Sequence, residues 1–339
     1  MAVSPAGLWA VDTAGQAAPV MSLAQAQTDT ATGEAAKAAD EKPTATAPAS
    51  VEETTAKEEA EEKALPISLS VSYYLLSDYV WRGINLSEHE TEKGERLNHQ
   101  VATSVNWDTG TYGSFGFDTF FEWYADQKKL NPYGGQNLQE VDYVFHWDYT
   151  IEPIKTDASV GYSIYTYPNL SKLLRSDKSV GNNNDDHYHE WWFKLTNNDA
   201  WMWKWLLPNN EEGVLNPTYF FAQDFSVGCG HVWQEISFSH DFEVVKNLTV
   251  TPGYLIAIDG GLLRRYLNQP HPGHMRLAYD QWSLKTTYDL TSVLKLPKWA
   301  GTLSVSGLLY YNNALGNAAA DSINDEFYGG MSVDWGWGG

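Results

Sequence analysis

The chain has 339 residues, a formal net charge of −21, 14% aromatic residues and a mean hydropathy of −0.41. The acidity excludes a nucleic-acid partner, because phosphates are held by Lys and Arg, and a single cysteine, Cys229, excludes an internal disulfide framework. No apolar run approaches the roughly 18 residues of a membrane helix, so a membrane-spanning form must be a closed barrel.

Residues 1–26 carry a moderately apolar stretch, Leu8 to Leu23, ahead of the small-residue run Ala24-Gln25-Ala26. The stretch lacks a basic start and is interrupted by Asp12, so two readings stand: a signal-peptide remnant and a plain terminus. Residues 27–66 are Ala, Thr, Glu, Lys and Pro with almost nothing to bury, the composition of a disordered acidic tail. Ser50-Val51-Glu52-Glu53 has the form of a capping box, opening a short helix from Glu52 to Ala64. The tail reads as a periplasmic spacer, with contact to the cell wall or to a partner as the second reading.

From residue 67 to 339 the chain reads as one transmembrane antiparallel up-and-down β-barrel. Its opening stretch, Ile67 to Gly83, alternates with period two. Ile67, Leu69, Val71, Tyr73 and Leu75 fall on one side and Ser68, Ser70, Ser72 and Tyr74 on the other. Continued in the same parity, Tyr79 and Trp81 form an aromatic collar on the apolar face, and Asp78 and Arg82 lie on the hidden one. The run Ser77-Asp78-Tyr79-Val80-Trp81-Arg82-Gly83 resembles the SDYVFRG signature that opens the TorF-type porin family, with Trp81 in the usual Phe position. Glu140-Val141-Asp142 and Leu215-Asn216-Pro217 with Asp224 resemble later landmarks of that family in the same order. The resemblance implies a porin-like outer-membrane barrel and names no substrate.

Parity gives about twelve strands, an even number as bacterial barrels require. After the first, Arg96 to Trp107 sets Leu97, Val101 and Val105 outward. The third strand sets Phe115, Phe117 and Phe121 outward against Asp118 and Glu122. The fourth sets Val141, Tyr143, Phe145 and Trp147 outward against Asp142, His146 and Asp148. Carboxylates opposite unbroken apolar faces require the hidden side to be wet. The remaining strands are Ala158–Thr166, His189–Leu195, one starting near Pro217, Val232–Val244, Leu248–Ile258, Trp282–Leu290, Leu303–Tyr311 and Phe327–Trp337. Short turns alternate with long connections, which places both termini on the periplasmic side of a bacterial outer membrane. Two segments break the pattern: Asn197 to Val214, with Trp201, Trp203, Trp205, Leu206 and Leu207, and Thr291 to Ala300. The first suits the membrane interface better than a subunit contact.

On the lumen side, parity places the acidic residues Asp78, Asp118, Glu122, Glu140, Asp142, Asp148, Glu190, Asp224, Glu235, Asp241, Asp259, Asp289, Glu326 and Asp334. The bases there are Arg82, Arg96, Lys194 and Lys285. Confined carboxylates concentrate cations and repel anions, so the chain reads as a porin-like channel for small hydrophilic solutes with a cation preference. Inward aromatics gather at the outer strand ends: Tyr124, Tyr165, Tyr167, Tyr188, Tyr310 and Tyr328. They suit stacking of a sugar or nucleoside, or plain filling of the mouth. Arg82 is expected to meet Glu326, or else Glu122, across the seam that closes the barrel.

No cofactor is expected. His187-Tyr188-His189, His271-Pro272-Gly273-His274 and the run Asn182 to Asp186 lack a metal-ligand spacing with further partners. The expected partners are membrane lipid, lipopolysaccharide and small solutes or cations, with a homo-oligomer and a cell-wall contact as further options. Two other functions stand beside the channel. One is a structural barrel that anchors the envelope through its tail. The other is a barrel lipid hydrolase using Ser77 and His99, which share the outward parity but lack an orienting acid. A soluble β-sandwich is the alternative fold.

Overall fold

The alternation read from the sequence becomes an inverted burial pattern. On the first strand Ile67, Leu69 and Val71 are exposed while Ser70 and Ser72 are buried; later, Phe145 is 51% exposed beside a buried His146. Apolar side chains outside and polar ones inside is the order a bilayer demands of a barrel. A computed structural model of the protein describes residues 66–85, 97–124, 140–166, 187–225, 230–262, 275–315, 323 and 325–338. The leader, the tail up to residue 65, Arg96, Tyr167, Cys229, Asn182 to Asp186 and the His271–His274 pair lie outside the described residues.

The strands are β1 (Ile67–Leu76), β2 (Val80–Trp81), β3 (Ile84–Asn85), β4 (Asn98–Asp108), β5 (Ser114–Tyr124), β6 (Glu140–Ile151), β7 (Thr156–Thr166) and β8 (His187–Asn197). They continue as β9 (Thr218–Asp224), β10 (Val232–Ser239), β11 (Phe242–Val245), β12 (Leu248–Gly260), β13 (Arg276–Asp289), β14 (Thr302–Ala314) and β15 (Glu326–Gly338). Each barrel strand pairs antiparallel with its neighbours. β1 lies between β4 and β15, with Val71 opposite both Thr103 and Trp335. β10 pairs with β9 and β12, and β11 carries the same wall position along β12. With β10 and β11 counted as one interrupted strand and β2–β3 outside the wall, this is a closed twelve-stranded barrel.

Barrel strands of 11 to 13 residues recur around the wall. At about 3.3 Å per residue and a tilt of about 40°, they span about 28–33 Å, close to a hydrocarbon core. Inside, polar side chains satisfy one another along each strand: Gln100 Nε2 donates to Asn98 Oδ1 (2.7 Å), Asn106 Nδ2 to Ser104 Oγ (2.8 Å) and Ser332 Oγ to Asp334 Oδ2 (2.9 Å). The inner wall predicted from parity is therefore partly hydrogen-bonded. Inward atoms such as Ser70 Oγ, Gln100 Oε1, Asp142 Oδ1 and Asp334 Oδ1 have no hydrogen-bond partner among the described residues, as suits a wall that water can reach.

The lumen is not uniform along its axis. At the end carrying the chain termini, inward Ser237, Ser239, Thr249, Thr251 and Ser304 on the β10–β14 side stay partly or fully open to solvent. Asn106, Thr196 and Asp334 on the rest of that end are buried. At the opposite, loop end, inward Tyr74, Leu76, Ala257, Tyr279 and Asn312 are essentially inaccessible. The cause is the segment that the parity reading extended along the wall. β1 stops at Leu76 and the chain turns inward, so Tyr79 and Trp81 are not an outer collar; both are buried inside the barrel. Val141, read as lipid-facing, is likewise buried on its outward parity.

Candidate functional site

The inward segment is a minimal hairpin. Trp81 pairs with Ile84 across the two residues Arg82 and Gly83, which have φ of 48° and 81°. Two successive left-handed residues make a type I′ turn, whose twist suits a tight hairpin. Arg82 pays about 1–2 kcal/mol to sit there without being glycine. Asn85 Nδ2 donates to Asp78 Oδ1 (3.1 Å), closing the neck of the hairpin. Its tip fills the loop end of the lumen, where Trp81, Arg82 and Ile84 pack with Tyr279, Leu262 and Ile323 among the buried side chains.

Arg82 is fully buried and crosses the lumen to β8. Its Nη2 donates to Glu190 Oε2 at 2.8 Å and Oε1 at 3.1 Å. The same carboxylate accepts the Tyr165 hydroxyl (2.6 Å) and the Tyr188 hydroxyl (2.9 Å). The guanidinium carbon stands 4.8 Å from the Trp81 ring and 5.3 Å from the Trp233 ring, within reach of cation–π attraction. The expected contact of Arg82 with Glu326 or Glu122 is thus replaced by Glu190. A hairpin folded across the lumen brings its tip to the far wall, whereas a continued strand would have kept it at the seam.

Around this contact the inner wall is acidic. Asp78, Asp118, Glu122, Glu140, Asp142, Asp148, Glu190, Asp224, Glu235, Asp259 and Asp334 are all buried, against Arg82, Lys194 and Lys285 as buried bases. Glu122 lies directly opposite Glu140 across β5–β6, and Glu190 opposite Asp224 across β8–β9. Like charges placed so are destabilising unless positive charge is supplied. Tyr79 donates to Glu140, Asn98 to Glu122 and the Trp233 indole to Glu235. Arg276 Nη2 meets Asp259 Oδ2 at 3.1 Å. Lower in the lumen His146 bridges two carboxylates, with Nδ1 2.8 Å from Asp148 and Nε2 3.2 Å from Asp118.

Other predicted lumen residues sit apart. Asp241 is exposed between β10 and β11 and accepts the Thr251 hydroxyl. Asp289 is spent as the N-cap of a short helix, α2 (Leu290–Leu294), accepting from Thr291 N (2.8 Å) and Ser292 Oγ (2.9 Å). Glu326 is half-buried at the start of β15, opposite Asn312. Of the mouth tyrosines, Tyr165 and Tyr188 hold Glu190. Tyr310 and Tyr328 stack at 4.9 Å, with Gln281 donating to the Tyr328 hydroxyl. Tyr124 ends β5, and its side chain lies outside what the structure describes. Trp192, Trp233, Tyr279, Gln281 and Asn312 join the inner wall unannounced; period-two parity was the signal that could have placed them all.

Ser77 and His99 are committed elsewhere. Ser77 Oγ accepts from Gly329 N (3.1 Å), while His99 lies 2.6 Å from the Tyr73 hydroxyl and stacks on Trp123 at 5.7 Å. The long connection after β8 folds as a helical turn, α1 (Ala200–Trp203), which leaves Trp201 and Trp205 exposed. Its anchor is Asp199. Burial opposes the charge of this carboxylate. The indole N–H of Trp203 and the backbone amides of Leu215, Asn216 and Val214 outweigh that, and hold it below the ordinary carboxylate range. A lowered folded value means its stabilisation is complete above the usual Asp range near 4 and is lost as pH falls through the folded value. Asp199→Ala is expected to cut amide protection at Val214 to Asn216 by about 10-fold or more. In the native protein, acidification should do the same. Hydrogen exchange measures both, and protection unchanged by the substitution would remove Asp199 from its anchoring role.

No known family model matches the chain, and no curated protein does. Among solved structures, the KdgM porin aligns over 78% of this chain and 98% of its own, at 10% identity and a TM-score of 0.40. The COG4313 outer membrane channel from Pseudomonas putida F1 covers 80% and 96%, at 8% identity and 0.42. Outer membrane phospholipase A from Escherichia coli covers 79% and 92%, at 10% identity and 0.36.

Proposed function

We propose that the protein is an outer-membrane, porin-like channel for small hydrophilic solutes, cation-preferring, and narrowed at its loop end by the β2–β3 hairpin. The carrying observation is the lumen, where eleven buried carboxylates face three buried bases among the described residues. Asp78 of the hairpin neck is one of the carboxylates, and the hairpin's own Arg82 is one of the bases. The Debye length at moderate salt is about 8–10 Å, comparable with the half-width of a twelve-stranded lumen, so a permeating ion feels the wall throughout. The motif likeness to the TorF-type porin family supports the same reading. In it both termini face the periplasm, Trp201 and Trp205 lie in the lipid interface, and lipopolysaccharide surrounds the outer rim.

The test is the zero-current potential across a planar bilayer under a salt gradient. The native protein should give a cation-selective sign that weakens as salt rises. Asp118→Asn combined with Asp142→Asn should reduce it, because both are buried inward carboxylates. An anion-selective sign would reject the preference. The filled loop end favours one second reading, a structural barrel that holds the envelope through its tail. That reading predicts no conductance with the hairpin seated or displaced, and retention of cell-wall fragments by the tail.

A further inference from the structure

The contact that seats the hairpin has the composition of a binding site. Glu190 offers both carboxylate oxygens to one planar cation, and Trp233 offers a ring face beside it. Arg82 Nη2 takes both carboxylate oxygens, and its Nη1 lies 3.5 Å from the Tyr188 hydroxyl. A carboxylate, a hydroxyl and an aromatic face around one planar cation are the chemistry that recognises a guanidinium. These wall groups are also held in place without Arg82. The Tyr165 and Tyr188 rings pack at a tilt with centroids 5.1 Å apart, and both hydroxyls hydrogen-bond Glu190. The Trp233 indole is fixed by Glu235 on its own strand. Asp224, directly across the ladder from Glu190, adds negative charge at the same height. If the hairpin left, an oriented anionic pocket would remain.

We infer that Glu190, Tyr165, Tyr188 and Trp233 form a receptor for guanidinium-bearing solutes, of which Arg82 is the tethered occupant. This rests on the channel reading for its consequence: a soluble guanidinium competes with Arg82, displaces the hairpin and opens the loop end to its own passage. The left-handed conformation of Arg82 fits this role. Strain held at a non-glycine residue is kept where the surrounding contacts over-determine it, and is released when they are lost.

The probes are arginine and citrulline, which differ by guanidinium against neutral ureido, with lysine as the charge control. In the native protein, arginine should accelerate hydrogen exchange of the hairpin amides from Val80 to Asn85, and citrulline should not. In detergent micelles, Arg82→Ala should bind arginine about 10-fold or more tighter than citrulline by titration calorimetry, with lysine between them. Arg82→Ala with Glu190→Gln should lose that binding. In bilayers, millimolar arginine should reduce the current of Arg82→Ala and leave the double variant unaffected.

Equal effects of arginine and citrulline on exchange in the native protein would overturn the receptor, whether or not the variants fold. So would arginine binding that survives in the double variant. Absence of current in every variant would defeat the channel reading alone, because exchange and calorimetry still decide the receptor.

Discussion

Gly83→Val is expected to release the β2–β3 hairpin and raise single-channel conductance several-fold while the barrel stays folded. Residue 83 has φ of 81°, and a Cβ there would lie 2.7 Å from Tyr279 Cδ1 and 3.2 Å from Ile323 Cγ2. Tyr279 is itself inaccessible, and its ring stands 6.1 Å from that of Trp233, so it has little room to yield. Left-handed backbone costs a branched residue about 1–2 kcal/mol, and overpacking adds about 1–3. Together they shift the seated population roughly 30-fold or more, at about 1.4 kcal/mol per tenfold. The wall is spared because β1 is joined to β4 and β15 through residues up to Ser77, before the hairpin begins. Conductance in bilayers and heat-modifiable mobility on gels read the two parts separately. A folded variant with native conductance would mean that the hairpin does not limit flow.

That hairpin also marks where sequence reasoning stops. Ser70, Ser72, Asp118, Asp142 and Asp334 were placed inward by parity alone, and all five are buried. Parity states which residues share a side; it does not state where the strand leaves the wall. Tyr79 and Trp81 keep the phase of β1 but belong to a segment that has turned into the lumen. The turn had a local signal: a glycine following Arg82, between the apolar Val80-Trp81 and Ile84. The partner had none, since Glu190 lies 108 residues away and many carboxylates share its parity.

Two smaller departures have local causes. β13 begins at Arg276, well before the predicted Trp282, because a bulge opposite Ala257 breaks its alternation: Ile256 pairs with Asp280 and Ile258 with Leu277. Ala278 and Tyr279 are then both buried, which no period-two reading allows. Asp289 shares the lumen parity yet caps α2, and the sequence Asp-Leu-Thr-Ser carried that alternative. Side-chain chemistry at strand ends answers to capping before it answers to the pore.

The wall below the hairpin makes its own demand, and it yields the sharpest stability prediction. One row along the hydrogen-bonding direction reads Gly116, His146, Gly161, Trp192, Ala222 and Trp233 on successive strands. Small and large residues alternate, so each large ring lies over a small neighbour instead of standing into the lumen. Gly161 lies under one of the largest rings of the row. A Cβ there would fall 2.2 Å from Trp192 Cζ2 and 2.9 Å from the Phe145 carbonyl oxygen. Trp192 cannot slide away freely, because its indole donates to Ser163 Oγ at 3.0 Å and its ring packs near Phe220 and His146. Gly161→Ala should therefore destabilise the barrel by about 1–3 kcal/mol through overpacking, read as a lower urea midpoint for refolding in lipid vesicles. The same alanine in a Trp192→Ala background should cost less, the contact with the Phe145 carbonyl remaining, giving a coupling of about 1–2 kcal/mol between the two positions. Equal costs in both backgrounds would place the penalty in the backbone of β7 and not under the indole.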